Sequence, residues 1–348
     1  MKKIIIILSV ISAILGAQSC RKLDVDVESQ YVKGNFPSTT SDYAALFGTM
    51  YSNLSSQYGV PYWRMQELST DAAILPARDG NFDDGGQFRQ LHYHTWTIDH
   101  PNVRDIWQWG FGGINNCNRL INLTNESMDL YGNVPIISTF PVSTLPGNQT
   151  REKVFEFIEK ELKELLPQLP QRSNANRVLW YARPTRAMAF ALLQKMYLNA
   201  EVYTGKPRYA ESVVMGDSVL RNTNYFLDSK YADVFDVNNG PQINETIFAV
   251  AYDQQIPGNQ MTRFGFFPAL APAYGINVGF SIAMSTTPEY YNRFNLNGDI
   301  RNTFWLIGKQ FAPDANRKPD LSKPVMIAGT NTQIEITPDL ILKPGKPM

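Results

Sequence analysis

The stretch that decides the fold is residues 183–220, RPTRAMAFALLQKMYLNAEVYTGKPRYAESVVMGDSVL. Small and apolar residues recur through its first half and again after Pro207, which predicts two helices. Between them, Gly205 suits the C-terminal cap of a helix, and Pro207 suits the first turn of the next one. The stretch therefore predicts a helical hairpin with a tight turn.

The two predicted helices combine small residues with large ones, which lets antiparallel helices approach each other closely. The first carries Ala187, Ala191, Met196, Tyr197 and Ala200, and the second carries Tyr209, Ala210, Val213, Val214 and Leu220. This pattern is typical of tetratricopeptide-type repeats, in which one hairpin cannot bury its own apolar face and needs a stacked neighbour. The turn is longer than in that repeat, and the Trp and Gly of its first helix are missing. An ordinary helical hairpin of an α-domain is therefore the alternative.

Helical periodicity recurs elsewhere in the chain. Apolar residues at helical spacing predict helices over 41–57, 103–123 and 151–169, the last with Thr150 as its N-cap. The inward positions expected for that last helix are Val154, Ile158, Leu162, Leu165 and Leu166. Residues 246–252 predict a strand, and the stretch from residue 313 onwards holds six prolines and no helix signal.

Length and composition limit the classes of function. The chain has 348 residues, enough for one large domain or two ordinary ones. Lys and Arg number 32 against 32 Asp and Glu, so no charge excess favours a nucleic acid or an anionic membrane as partner. Aromatic residues make up 12% of the chain, which is more than a helical core needs. We therefore expect some rings to serve a surface.

The N-terminus has the features of a targeting segment. Lys2 and Lys3 precede an apolar run over residues 4–15 that is too short to span a bilayer, and small residues then lead to Cys20. Residues 1–19 resemble a bacterial lipoprotein signal, which predicts lipid on Cys20 and a polar tether over 20–40. The alternative is an ordinary secretory signal with an incidental Cys. With Cys20 lipidated, Cys117 is left single, and a buried inert thiol is expected there.

Residues 62–97 combine aromatic rings with Asp and Arg and show no lasting periodicity. A loop of this composition is costly to order unless it serves a surface. Aromatic rings stack on the apolar faces of sugars, while Asp and Arg bond the hydroxyls. The loop therefore predicts a glycan-binding surface, and the alternative is a covering loop whose rings fill the core.

The order of these segments resembles the SusD/RagB family of outer-membrane nutrient-binding lipoproteins of the Bacteroidetes. The segments are the lipoprotein signal, the first helix, STDAAILPARDGNFDDGGQFRQLHYHTW, WQWGFGGINNCNRLI, MDLYGNVPII, TREKVFEFIEKELKELLPQLP, the hairpin, and YADVF followed by NETIFAVAYD. The resemblance implies a mainly α fold, with tetratricopeptide-like hairpin repeats packed against an irregular, loop-rich half that has a few short strands. It also implies a nutrient-binding domain over 41–312 and an irregular end over 313–348.

The resemblance further implies a function at the cell surface. Such a protein captures an oligosaccharide or related nutrient, without catalysis or cofactor, and delivers it to a TonB-dependent, SusC-like transporter in the outer membrane. Its implied ligand contacts are Asp71, Arg78, Phe82, Asp83, Gln87 and Trp96. Rings suggested for a second wall are Phe264, Phe266, Tyr274 and Trp305, while Trp107, Trp109 and Phe111 are assigned to packing.

The chain departs from the family pattern in two places. Only a few residues separate Asn122 from Met128, where relatives carry another long helix, and the sequence stops at Met348, where relatives continue. We therefore expect a protein that lacks one internal helix and the C-terminal part of the family fold.

Two other classes of function compete with nutrient binding. A glycoside hydrolase needs two carboxyls that face each other at a set separation, and the pairs Asp83 with Asp84 and Asp71 with Asp79 do not supply this by spacing alone. An adaptor that grips a protein or peptide partner in a repeat groove is the stronger alternative. Rings gathered on one exposed patch favour glycan binding, whereas rings spread through the core favour the adaptor.

Metal binding has little support in the sequence. His92 and His94 would point to one face of a strand, but no third ligand of convincing spacing follows them. No clustered loop of oxygen ligands predicts calcium. We therefore expect no metal site and a packing or surface role for these histidines.

Overall fold

The computed structural model describes residues 39, 48, 51–77, 83–116, 132–136, 146–236, 238–252, 261–277, 279–281, 283–316, 318–337, 341–343 and 346–347. The chain divides into two units, Met1–Gly48 and Thr49–Met348. Only residues 39 and 48 of the first unit are described, so the predicted signal, Cys20 and all of the tether except residue 39 lie outside the described residues. Cys117 and the segment between Asn122 and Met128 also lie outside them.

Helices of very different length make up most of the described secondary structure. They are α1 Trp63–Glu67, α2 Gln87–His92, α3 Pro101–Asn116, α4 Arg151–Leu165, α5 Arg177–Trp180, α6 Arg186–Leu198, α7 Ala200–Thr204, α8 Tyr209–Leu220, α9 Met261–Phe264 and α10 Pro288–Tyr291. Residues 51–57 are also helical and run through a π-helical turn, Tyr58–Tyr62, into α1. None of the helices in the described part is long and apolar enough to cross a membrane.

The strands are short and pair only in twos. They are β1 Val134–Pro135, β2 Asn148–Gln149, β3 Gly308–Lys309, β4 Phe311–Pro313, β5 Pro319–Pro324, β6 Glu335–Ile336, β7 Ile341–Lys343 and β8 Lys346–Pro347. The pairs are antiparallel and join β1 to β2, β3 to β6, β4 to β5 and β7 to β8. The predicted fold class, mainly α with a loop-rich half and a few short strands, is confirmed. The expected irregular end, 313–348, contains several of these strands.

The hairpin predicted at residues 183–220 is present. Its first arm is α6 followed by α7, its second arm is α8, and Gly205 ends the first arm with a φ of 73°, as expected of a C-terminal cap. The arms approach closely where Ser212 Oγ donates to the carbonyl oxygen of Gln194 at 3.0 Å. A Cβ added to Gly216 would lie 2.9 Å from the side chain of Gln194, so a small residue fits this crossing.

The outer face of the hairpin stays uncovered within the described residues. Val213 is 64% exposed and Leu220 is 81% exposed, and Val202 of α7 is exposed as well. The residues that α8 turns inward are instead Ser212 and the half-buried Met215. The hairpin thus leaves an apolar face of its own unburied, which is the property that makes tetratricopeptide-type repeats stack.

Helix α4 packs against the first arm of the hairpin. Thr150 caps it, because the Lys153 amide donates to Thr150 Oγ1 at 3.4 Å. Its inward face and that of α6 and α7 form one core, and predicted positions Leu165 and Leu166 are half-buried at its edge. The buried members of this core are Val134, Val154, Phe155, Ile158, Leu162, Ala189, Leu193, Met196, Tyr197, Ala200 and Tyr203.

A second hydrophobic core lies within the loop-rich half. It is built from Trp63, Met65, Leu68, Ala73, Leu75, Phe88, Leu91, Ile106 and Phe264. The prediction of an irregular loop over 62–97 was therefore partly wrong, because α1 and α2 lie within it and bury Trp63 and Phe88 in this core. The helix predicted over 103–123 is α3, and it begins two residues earlier than expected.

The strand predicted at residues 246–252 is absent, and this part of the chain is irregular. The segment bonds distant parts of the chain instead of a neighbouring strand. Arg172 Nη1 donates to the carbonyl oxygen of Thr246 at 3.0 Å, and the hydroxyl of Tyr252 donates to the backbone carbonyl oxygen of Ser55 at 2.6 Å.

Candidate functional site

Asp71 lies in a turn that is stabilised by hydrogen bonds from Thr70 and from a distant segment of the chain. After α1, Thr70 Oγ1 accepts from the amide of Ala72 at 3.1 Å and donates to the carbonyl oxygen of Glu67 at 2.8 Å. The carbonyl oxygen of Asp71 accepts from Thr286 Oγ1 at 3.3 Å and from the Thr287 amide at 3.4 Å. The carboxylate of Asp71 itself is exposed. The turn thus presents an acidic side chain on a fixed backbone.

The residues that bond the Asp71 turn, around Ser285 to Thr287, lie more than two hundred positions further along the chain. Ile74 and Ser285 form an antiparallel bridge, with N–H to oxygen distances of 2.7 and 2.9 Å. Thr287 then caps α10 by accepting from the Tyr290 amide at 3.2 Å. This bridge and cap fix α10 beside the Asp71 turn.

A groove of about 400 Å³ lies between the Asp71 turn and α10. It is lined by Gln66, Glu67, Thr70, Asp71, Ala72, Glu289, Tyr290 and Arg293. Three carboxylates, one guanidinium and one half-buried phenol ring thus face a shared space. Such a set can bond several hydroxyls of a polar ligand and offer one ring face for stacking.

Trp96 is connected to this turn through His94. His94 Nε2 lies 2.8 Å from the carbonyl oxygen of Ser69, two residues before Asp71, and the His94 ring contacts the Trp96 ring edge-on at 5.2 Å between centroids. Trp96 remains 36% exposed, and the neighbouring Tyr93 is more exposed still. The bond of His94 therefore places Trp96 near the backbone that precedes Asp71, while of the two residues only Asp71 lines the groove.

Asp83 and Gln87 are engaged around the start of α2. Asp83 pairs with Arg89, and Gln87 bonds Asp84 through its amide nitrogen. Gln87 also accepts from His100 Nε2 at its carbonyl, at 3.0 Å, and from Asn102 at its side chain, at 3.2 Å. These bonds give both residues local structural partners. They also keep the carboxylates of Asp83 and Asp84 on separate partners, so the two do not form a facing catalytic pair.

The remaining predicted site residues lie outside the described part of the chain, in the core, or in half-buried positions. Arg78 and Phe82 lie outside the described residues. Of the rings suggested for a second wall, Phe264 is fully buried against Trp63 and Phe88, so it packs the core. Phe266, Tyr274 and Trp305 are half-buried. Trp107 was assigned to packing; it contacts Phe111 at 4.4 Å and is still 38% exposed.

Glu289, Tyr290 and Arg293 were not predicted from the sequence as site residues. The signal that could have found them is Thr287-Pro288, because Thr at the N-cap followed by Pro at the first position marks a helix start inside an aromatic-rich loop. Their approach to Asp71 depends on the long-range bridge to Ile74, which leaves no local pattern in the sequence.

The histidines take no part in a metal site that the structure describes. His92 ends α2 and contacts the Tyr93 ring, and His94 bonds Ser69. Among the described residues, no group of three or more His, Cys, Asp or Glu is placed to hold a metal ion. The strand that would have aligned His92 with His94 is a helix end and a turn, with His94 at a φ of 55°.

The architecture defined by these features is that of a helical-repeat protein with a loop-rich half. Its fold matches solved SusD superfamily structures: a protein from Parabacteroides distasonis aligns over 89% of this chain and 72% of its own, at 17% identity and a TM-score of 0.60. The surface glycan-binding protein A from Bacteroides fluxus aligns over 77% of this chain and 64% of its own, at 15% identity and a TM-score of 0.61. A SusD-like protein from Bacteroides fragilis aligns at a TM-score of 0.58 and 17% identity, over 76% of this chain and 54% of its own.

Sequence comparison points the same way. The chain is 27% identical over 117 residues to the starch-binding protein SusD of Bacteroides thetaiotaomicron, a match that covers 34% of this chain and 20% of SusD. No family model matches the chain. The chain shares the SusD fold and resembles SusD in sequence over these 117 residues, which agrees with the resemblance that the order of its sequence motifs indicated. It spans about half the length of the Bacteroides fragilis protein that it matches.

Proposed function

We propose that the chain binds a glycan at the cell surface and passes it to a TonB-dependent, SusC-like transporter without altering it. The observation that carries the proposal is the sequence similarity to the starch-binding protein SusD, together with the shared fold. The groove beside Asp71 is the binding surface that we assign to this function. Its carboxylates, the Arg293 guanidinium and the ring of Tyr290 supply the groups that a sugar needs for hydrogen bonds and stacking.

Trp96 extends this surface. Its exposed ring lies next to His94, and the backbone bond of His94 to Ser69 fixes both beside the Asp71 turn. Rigidly held aromatic rings bind without a large entropy cost, since little side-chain freedom is lost. We therefore assign Asp71 and Trp96 as ligand contacts, with Glu289, Tyr290 and Arg293 as the opposite wall.

The absence of catalysis is part of the proposal. The adjacent carboxylates suggested for hydrolysis are Asp83 and Asp84, and they bond Arg89 and Gln87 respectively. Hydrolysis would need them to face one bond of the sugar from opposite sides. Their bonded arrangement supports capture of a ligand in place of its cleavage.

Location and partner complete the proposal. Lipid on Cys20 would hold the chain at the outer membrane, where a SusC-like transporter could receive the captured glycan. The competing function is an adaptor for a protein partner, favoured by the exposed apolar face of the hairpin around Val213 and Leu220.

Isothermal calorimetry distinguishes these functions. The purified chain would be titrated with a panel of oligosaccharides that differ in sugar and linkage. Saturating heat with one class of glycan is the expected result. Heat that continues long after each injection would indicate turnover and an enzyme. A folded chain that gives no heat with any glycan would overturn the proposal and favour the adaptor.

A further inference from the structure

Three aromatic rings from two separate segments form one cluster on the surface. Two of them begin and end a 3₁₀ helix, Tyr231–Phe235, and Phe304 ends another, Ile300–Phe304. The Tyr231 and Phe304 rings are stacked with their centroids 5.4 Å apart, and the Phe235 ring meets these two edge-on, at 5.2 and 5.8 Å. Each ring is therefore held by the other two. We call these three rings the aromatic platform.

The aromatic platform remains open to solvent after these contacts. Tyr231 is 38% exposed, Phe304 is 47% exposed and Phe235 is 63% exposed. Large apolar side chains are normally buried, and a contiguous group of them at the surface marks an interaction site. Because the rings hold one another, a ligand that covers them costs little side-chain entropy.

Polar side chains border the aromatic platform. Arg301 lies in the same 3₁₀ helix as Phe304, and its Nε is 2.9 and 3.0 Å from the two carboxylate oxygens of Asp299. The pKa of Arg301 is raised, mainly by this hydrogen-bonded pair and to a smaller extent by Tyr231, so the guanidinium lies near that ring. Asp233, in the other 3₁₀ helix, is exposed. A sugar unit suits this combination, because it presents C–H groups on one face and hydroxyls at its edge.

A cavity connects the aromatic platform with the groove beside Asp71. It measures about 300 Å³, and it is lined by Phe304 of the platform and by Pro288 and Tyr291 of α10. Between these two residues of α10, Glu289 and Tyr290 line the groove. The platform, the cavity and the groove therefore follow one another in space, and one extended ligand can contact all three.

We propose that the aromatic platform binds a distant unit of the same glycan chain that occupies the groove, an inference that rests on the proposed glycan-binding function. The ligand class is therefore an extended oligosaccharide or polysaccharide. One pyranose unit packs its C–H face on the rings, and its hydroxyls bond Arg301 and Asp233. The polar border and the continuity with the groove favour a glycan over a protein partner at this surface.

The two contacts reinforce each other when they belong to one ligand. A glycan already bound in the groove reaches the aromatic platform without a second loss of translational freedom, so its affinity exceeds that of either contact alone. A short sugar fills only the groove and gains nothing from the platform. Affinity should therefore depend on the length of the glycan.

Calorimetry with oligosaccharides of increasing length tests this inference. The full chain would be titrated with malto-oligosaccharides of two, four, six and eight units, and with cello- and xylo-oligosaccharides of two, four and six units. In the series that binds, we expect affinity to rise about tenfold from the shortest sugar that binds to the longest, with one ligand per protein. Equal affinities at all lengths would overturn the inference and leave glycan binding in the groove intact. If no sugar of any length binds, both proposals fail.

Two variants locate the gain at the aromatic platform. Tyr231→Ala and Phe235→Ala each remove one exposed ring, and each should weaken binding of the longest sugar several-fold while the shortest sugar binds like the parent. Tyr209→Ala is the matched control, because Tyr209 is 50% exposed and lies on α8, and it should bind every length like the parent.

The near-ultraviolet circular dichroism of each variant would show that it is folded. Folded platform variants that keep the full gain with length would contradict the assignment. An equal loss of affinity for short and long sugars would also contradict it, because the rings would then support the groove itself.

Discussion

Arg208 and Glu159 join two helices through a single ion pair, with Arg208 Nη1 2.7 Å from Glu159 Oε2. Arg208 immediately precedes α8, and Glu159 lies in the middle of α4. The same carboxylate accepts from the hydroxyl of Tyr197 on α6 at 2.8 Å and pairs with Lys163. The Arg208 guanidinium also lies over the Tyr197 ring, 4.4 Å from its centroid. One side chain therefore connects the three helices that build the repeat half of the fold.

Replacing Glu159 should destabilise the protein. Glu159→Gln removes the charge that Arg208 and Lys163 share, and both the carboxylate and the guanidinium are largely buried. We expect a loss of about 2–3 kcal/mol in the free energy of unfolding, measured by urea denaturation.

The matched control is Glu152→Gln in the same helix. Glu152 pairs with Lys206 at 2.8 Å, but both side chains are well exposed, so little change is expected. Equal effects of the two substitutions would show that the Glu159 connection does not stabilise the fold.

Acid should remove the contribution of Glu159. Burial alone would raise the pKa of Glu159, but hydrogen bonds from Arg208, Lys163 and Tyr197 outweigh it and lower the pKa from 4.5 to about 2. A carboxyl whose pKa is lower in the folded state stabilises the fold fully above the unfolded pKa, near 4.5. This contribution is lost as the pH falls towards 2.

The measurement is the difference in unfolding free energy between the parent and Glu159→Gln, followed from pH 6 to pH 2. The difference should be largest above pH 5 and should shrink steadily in acid. Other acidic groups titrate equally in both proteins and cancel. A difference that stays constant over this range would mean that the charge of Glu159 does not stabilise the fold.

The N-cap of α4 gives a prediction of smaller size. Thr150→Ala removes the acceptor for the Lys153 amide, so we expect a loss of about 1 kcal/mol. Thr150→Ser keeps a hydroxyl and should retain most of the stability. Thermal unfolding of the two variants beside the parent would measure both effects, and equal losses in Ala and Ser would exclude the capping hydroxyl as the cause.

Lipidation of Cys20 can be tested by expressing the protein with labelled fatty acid in a bacterium that has an outer membrane. The parent should incorporate labelled fatty acid and sediment with the outer membrane. Cys20→Ser should lose the label and leave the membrane fraction. Cys117→Ser is the control and should keep the label. Persistent labelling of Cys20→Ser would contradict the assignment of Cys20 as the lipidated residue.

Local signals in the sequence predicted local structure well. The Thr150 cap, the Gly205 cap and the hairpin of α6 to α8 follow from residues a few positions apart, because capping and helical periodicity depend on near neighbours. The predicted strand at residues 246–252 failed because a strand needs a partner, and here the backbone bonds Arg172 instead. Alternation along one segment carries no information about such a partner.

The candidate site was predictable only in part. Asp71 and Trp96 were proposed from one loop, whose composition differs from the rest of the chain, and of the two Asp71 lines the groove. The opposite wall comes from Tyr290 and Arg293, which the bridge between Ile74 and Ser285 brings into place. A pairing across more than two hundred residues depends on the complete fold, so no local pattern could reveal it.

The central claim is that a glycan binds at the Asp71 groove and stacks on Trp96. The most direct test is a calorimetric titration of the best-binding oligosaccharide into the parent, Trp96→Ala and Trp107→Ala. Trp107 is the matched control because it is as exposed as Trp96, at 38% against 36%, and lies on α3, where its ring contacts Phe111. Trp96→Ala should weaken binding about tenfold or more, as loss of a stacked ring does, while Trp107→Ala binds like the parent. Unchanged affinity in a folded Trp96→Ala, or an equal loss in both variants, would contradict the claim.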